Sequence, residues 1–200
     1  MLVIEGLQRL TFGPFALEVA DGECVGIAGP SGAGKSVFLR MIADLDPHAG
    51  SARLDDRRCA DMPAPAWRRL VTYVPAESGW WAETVGEHFA DRAAAAALLP
   101  RVLLGDDVMG WPVSRLSTGE KQRLALIRAL IQQPRALLLD EPTAALDPAA
   151  TQAVERLLAE ALARDTAIVL VSHDAHQAQR LARRRFRMEA GRLHPEAAVA

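Results

Sequence analysis

The chain has 200 residues, half of them apolar and 24% charged, with a net charge of −2. That composition fits one globular domain able to bury a core. Its near-neutral balance lacks the basic footprint of a nucleic-acid binder, so nucleic acid is not an expected partner. No apolar run approaches the roughly 20 residues that cross a bilayer, so any spanning is left to another chain. The opening "MLVIEGLQRL" lacks the basic start and long apolar centre of a signal peptide. Cys24 and Cys59 have neither CxxC nor metal-ligand spacing and read as reduced thiols in a cytoplasm.

In chain order, "LVIE" and "FALEV" cluster or alternate like short strands. "CVGIA" (Cys24 to Ala28) reads as a buried strand. "KSVFLRMIADL" places Val37, Phe38, Met41, Ile42 and Leu45 at helical spacing. "HAGSARLDD" is a turn and then a strand, and "RLVTYVP" is a strand stopped by Pro75. Residues 86–112 look helical and loop-like, with "AAAAALL" as an alanine-rich helix and "GWP" as the stop. Ser117 begins a long helix with Leu124, Ile127, Arg128 and Ile131 in register. "ALLLD" and "TAIVLVS" are buried strands flanking an amphipathic helix, "PAATQAVERLLAEALAR". A last helix and a basic turn lead to "RFRMEAGRL", a hairpin. The basic "RLARRRFR" reads as a solvated face at a helix end. Apolar strands alternating with helices predict an α/β fold with a mostly parallel sheet covered on both faces, plus antiparallel β additions. The chain reads as a single domain, 1–200, with a small helical subdomain at about 86–130.

"GPSGAGKS" fits G-x-x-x-x-G-K-[ST], directly after an apolar strand and at the opening of a helix. The pattern belongs to P-loop NTPases. Gly29, Gly32 and Gly34 allow a tight turn, and the loop from Gly29 through Pro30, Ser31 and Ala33 to Val37 wraps around a phosphate with every backbone N–H but that of Pro30, which has none, able to donate. The helix N-terminus adds its positive end. Lys35 reaches the β- and γ-phosphates, and Ser36 is a Mg²⁺ ligand. Asp140 ends the "ALLLD" strand, so its carboxylate emerges at the sheet edge where α/β folds bind ligands. It suits the Mg²⁺ shell, and Glu141 is aimed beyond it at an attacking water. An isolated Asp-Glu pair would read as a solvated strand end. Four apolar residues before it, together with the phosphate loop, favour the functional reading.

"LSTGEKQRLALIRAL" (Leu116 to Leu130) separates this chain from other P-loop proteins. Ser117 with Glu120 three residues later is a capping box, and Gly119 leaves that helix start open to an anion. The stretch resembles the signature sequence of ATP-binding cassette (ABC) ATPases, usually LSGGQ. "AALD" (Ala144 to Asp147) resembles the family's D-loop, and "VSHD" (Val171 to Asp174) carries a histidine like its switch histidine. With the two phosphate-site motifs, that makes five in family order over essentially the whole chain. The resemblance implies an ATP-hydrolysing transporter subunit, peripheral on the cytoplasmic face of the membrane and driving a separate permease. It implies ATP and Mg²⁺ as ligands and head-to-tail pairing with a second copy or a homologous subunit. Ser117 and Gly119 would then meet the partner subunit's γ-phosphate, Asp147 would lie at the interface, and His173 would contact its own subunit's γ-phosphate. Phe12 is the adenine-stacking candidate, and Phe15 is assigned to the core. A soluble ABC ATPase and a degenerate regulatory module are the rival readings.

Two departures from the family stand out. Thr118 and Glu120 replace the usual Gly and Gln, and Ala76 stands where the family has a lid glutamine. Adjacent Glu77 could bind Mg²⁺ but would point to the opposite face of an extended segment, so a lost lid contact and one shifted to Glu77 are both open readings. Beyond it, Trp80 and Trp81 stand side by side in "YVPAESGWWAETV", a turn-like segment. Interface anchors are rich in such aromatics, so the pair is expected to line or rim the permease groove, with core packing of one of them an equal alternative.

Overall fold

Neighbouring residues of one strand divide the core. In the computed structural model, which describes residues 1–196, Leu138 faces one apolar cluster while Leu137 and Leu139 face another. Val169 and Val171 alternate with Ile168 and Leu170 in the same way. A strand whose two faces are both buried must be apolar throughout, which is why these strands read as continuous runs.

The central sheet is built from β3 (Cys24–Ala28), β6 (Val71–Val74), β7 (Ala136–Asp140), β8 (Ala167–Val171), β9 (Arg184–Glu189) and β10 (Arg192–Pro195). Their order is β10-β9-β3-β8-β7-β6. All neighbours pair in parallel except the terminal hairpin, β10 on β9. A second sheet is wholly antiparallel, in the order β2-β1-β4-β5. It comprises β1 (Leu2–Arg9), β2 (Phe12–Val19), β4 (Ala49–Leu54) and β5 (Arg57–Arg58). The expected fold class is therefore observed.

Helix α1 (Lys35–Ile42) fills the space between the two sheets with Phe38, Leu39, Met41 and Ile42. It is shorter than its apolar spacing predicts. Ala43 caps it, Asp44 turns to φ 54°, and Leu45 lies outside the helix, partly exposed. Helix α2 (Ala64–Leu70) was not legible in "PAPAWRRL", although proline is tolerated in a first helical turn. Its Trp67 is wholly buried and donates Nε1–H to the Ile42 carbonyl at 2.8 Å.

On the other face lie α4 (Thr118–Leu130) and α5 (Pro148–Ala163), with α3 (Arg92–Leu98) above them. The segment from Val85 to Arg115 is mostly single 3₁₀ turns around α3. It is anchored by Val85, Phe89, Leu99, Val102 and Val108. The last helix, α6 (Ala175–Leu181), leads to β9. The basic run there is not simply solvated. Arg184 grips Glu23 at 2.7 and 3.0 Å, and Arg180 grips Glu155 at 2.9 and 2.7 Å. Among the described residues, no helix is long and apolar enough to cross a membrane.

Candidate functional site

Strands β3, β7 and β8 end side by side, and the loops that leave them form one cavity of about 350 Å³. Its wall includes Gly32, Gly34, Lys35 and Ser36 from the first loop, Asp140 and Glu141 from the second, and His173 from the third. This is the ligand-binding edge of an α/β sheet.

The phosphate loop needs its glycines. Gly29, Gly32 and Gly34 have φ of 149°, 77° and 103°, a region that side chains rarely tolerate. A Cβ on Gly34 would sit 2.4 Å from the Phe12 ring. Phe12 thus lies against the loop and lines the cavity, while Phe15 is buried against Phe38. Lys35 is almost wholly buried, and its ammonium donates to the Gly29 and Pro30 carbonyls at 2.7 and 3.0 Å. An ammonium has three donors, so one remains for an anion in the loop.

Asp140 is buried and accepts the Tyr73 hydroxyl at 3.0 Å. Burial, then the Asp140 charge and hydrogen bond, push the Tyr73 hydroxyl well above its usual value. It therefore stays a donor and fixes one carboxylate oxygen. Glu141 has φ 50°, a strained conformation for a side chain of its size. Its Oε2 accepts the His173 backbone N–H at 3.1 Å. Its Oε1 is buried without a hydrogen-bond partner, 3.3 Å from His173 Nε2 at a looser ion-pair approach. An unsatisfied buried carboxylate oxygen at a cavity wall invites a water or a substrate proton.

These residues fit Mg²⁺. Ser36 and Asp140, a hydroxyl and a carboxylate, line the same cavity. Among the described residues there is no cluster of three His, Cys, Asp or Glu.

Ser117, Gly119 and Asp147 lie outside this cavity. Ser117 caps α4, accepting from Glu120 N at 3.2 Å, and Glu120 Oε2 returns to Ser117 N and Oγ at 2.8 Å each. Burial raises the Glu120 pKa, but these hydrogen bonds outweigh it and hold it below its ordinary value. A Cβ on Gly119 would meet the Ala145 carbonyl at 2.8 Å, so the first turn of α4 presses directly on the segment leading to Asp147. Asp147 caps α5, accepting from Ala150 N at 2.9 Å, and that bond leads the lowering of its pKa.

Ala76 lines the cavity, whereas Glu77 is exposed and absent from its wall. The tryptophans divide. Trp80 packs against the core and Trp81 is 71% exposed. Their rings flank His88 at 4.8 and 4.7 Å, and Arg128 lies 4.9 Å from both. The sequence reading passed over Tyr73 and Gln122. The signal for Gln122 was present, a polar residue on the stripe of α4 that otherwise carries Ala125, Leu126 and Ala129 into the core.

Residues 12–144 match the family described as ABC transporter. The chain belongs to the ABC transporter family. It is 40% identical over 197 residues to the aliphatic sulfonates import ATP-binding protein SsuB of Ralstonia nicotianae, covering 92% of this chain and 66% of that protein. A protein of the same name from Mycobacterium sp. is 38% identical over 207 residues, covering 96% and 81%. A structure titled as the ATP binding subunit of an ABC transporter superposes with a TM-score of 0.87 at 25% identity, over 99% of this chain and 90% of that one. This cassette is the ATP-binding, ATP-hydrolysing type of subunit in the family.

Proposed function

We propose that two copies of this cassette close head to tail over two ATP molecules and drive a separate membrane permease of the import type. The observation that carries the reading is the split of the site. One chain gathers the phosphate loop, Asp140, Glu141 and His173 around a cavity and leaves Ser117, Gly119 and Asp147 outside its lining. An anion-ready helix start with no phosphate loop beside it is explained by a second subunit that brings one. The import direction rests on the relatives' names.

In this reading Lys35 and the loop amides neutralise and orient the β- and γ-phosphates. Glu141 orients the attacking water and acts as its base, and His173, whose backbone N–H holds that carboxylate at Oε2, meets the γ-phosphate. Ser36 and, through water, Asp140 would hold Mg²⁺, which when bound neutralises charge on the phosphate oxygens. Phe12 receives the base. Ser117 and Gly119 complete the partner subunit's site, with Asp147 at the shared interface. The permease sits on the groove of about 540 Å³ lined by Arg69, Trp81, His88, Arg128 and Ile131. In this reading the cassette is peripheral on the cytoplasmic face of the membrane. The segment from about 86 to 130 is its small helical subdomain.

Glu141→Gln tests the reading. It keeps the shape and removes the base, so hydrolysis should fall by about 10²–10⁴-fold while ATP binding persists. On sizing chromatography the variant should run as a dimer with ATP and a monomer without it. Monomers at every ATP concentration, in variant and wild type alike, would overturn the paired arrangement.

A further inference from the structure

Gln122 is a buried amide on the signature helix, five residues beyond Ser117, and it is fully engaged. Its Nε2 donates to the Glu141 carbonyl at 3.2 Å and, more loosely, to the Ala76 carbonyl at 3.5 Å. Its Oε1 accepts the Ala145 N–H at 3.2 Å. Two carbonyls demand donors and one amide demands an acceptor, so the orientation of the side-chain amide is set by its partners. The three backbone groups belong to the lid segment, the hydrolytic glutamate and the segment leading to Asp147. Nearby, Gly119 presses on that last segment at the Ala145 carbonyl, and Arg123 ties α4 to the Val102 carbonyl at 2.7 Å.

We infer that Gln122 is a positioning residue that couples engagement of the signature helix by the partner subunit's ATP to the placement of Glu141 and the lid in its own subunit. The inference rests on the head-to-tail reading above. In that reading Ser117 and Gly119 are drawn toward a γ-phosphate in the other subunit. Helix α4 is a rigid lever, and Gln122 is the point where it holds the backbone on either side of the catalytic carboxylate. Here Ala76 offers only its carbonyl, and Gln122 is the side chain that reaches it.

Gln122→Met keeps the length and apolar volume and removes all three hydrogen bonds. Gln122→Glu keeps an acceptor for Ala145 and removes the donors to Ala76 and Glu141. Both variants should bind ATP as monomers within about threefold of wild type. In the dimer kcat should fall toward about 10²-fold, the scale of loss from a misplaced reacting group, with KM nearly unchanged and the cooperativity of hydrolysis with ATP reduced. Melting curves show that the variants are folded. A folded Gln122→Met with wild-type kcat and cooperativity would overturn the inference. So would a fall in kcat matched by an equal loss of monomer ATP affinity, which would mark a merely structural role. Glu141→Gln, run alongside, separates the two layers. If it forms the ATP-dependent dimer while Gln122→Met hydrolyses normally, only the role of Gln122 fails. If it never dimerises, the head-to-tail reading fails first.

Discussion

Trp80 and Trp81 are chain neighbours with opposite surroundings, and single substitutions should show it. Trp80 rests on the core, so Trp80→Ala should cost about 3 kcal/mol of stability, read as a lower melting temperature. Trp81 is 71% exposed, so Trp81→Ala should change stability by no more than about 0.5 kcal/mol. The same Trp81 variant should lose about 2 kcal/mol of permease binding if it is an interface anchor. Unchanged co-purification with the permease would remove Trp81 from the docking surface. Ala76 is the second residue whose neighbourhood makes a prediction. Its side chain stops short in the cavity wall, and Glu77 faces away. Ala76→Gln should therefore raise permease-coupled hydrolysis, while Glu77→Ala should leave it unchanged. The reverse pattern in a coupled assay would mean that Glu77 serves the lid.

Elements bring these residues to the site, and two contacts between elements carry predictions. The start of α4 lies so close to the Ala145 carbonyl that Gly119→Ala must push the two apart. Monomers should still bind ATP, but dimer formation and hydrolysis should fall, the latter by about 10²-fold. At the far edge of the sheet, Arg184 of β9 clamps Glu23 just before β3. Burial pushes the Glu23 carboxyl up, and the Arg184 hydrogen bond and the Ala20 amide pull it further down, leaving it below its ordinary value. A carboxyl lowered by folding stabilises above its unfolded pKa of about 4.3 and loses that contribution as pH falls through the folded value. Arg184→Ala should cost about 2 kcal/mol at neutral pH, and the gap from wild type in melting temperature should narrow below roughly pH 4, leaving the part due to the Arg184 bond to the Glu18 carbonyl, which does not titrate. The sequence disclosed the elements that follow simple periodicity. β3, β7 and α5 start where apolar runs or caps say they should. It hid α2, whose two prolines look like loop, and it overran α1, because Leu45 keeps the spacing after Asp44 has already turned the chain. The cavity residues were legible because each sits at a strand end or a glycine turn. Tyr73 and the Arg184–Glu23 clamp were not, because long-range polar pairing leaves no periodic trace, whereas Gln122 did leave one, a polar side chain on the buried stripe of α4.

At the scale of the whole molecule, the question is whether the two anion sites of one chain serve one nucleotide or two. In a two-fold assembly, a residue on one surface of each copy meets a different surface of the other, and both contacts form at once. Lys35→Ala removes the charge buried in the phosphate loop and should abolish ATP binding by the monomer. Ser117→Arg places a bulky cation at an exposed helix cap and should leave monomer binding intact while abolishing turnover. Each variant alone is then inactive. Mixed together, they form some dimers in which the Ser117→Arg copy offers an intact phosphate loop and the Lys35→Ala copy offers an intact signature. Those dimers hold one complete site, and the opposite site carries both lesions. Hydrolysis should therefore reappear on mixing, limited to one site per mixed dimer. If Ser117 instead served the nucleotide of its own chain, every site in every dimer would carry a lesion, and no ratio of the two proteins would restore activity. Titrating one inactive variant into the other while following phosphate release decides between these arrangements.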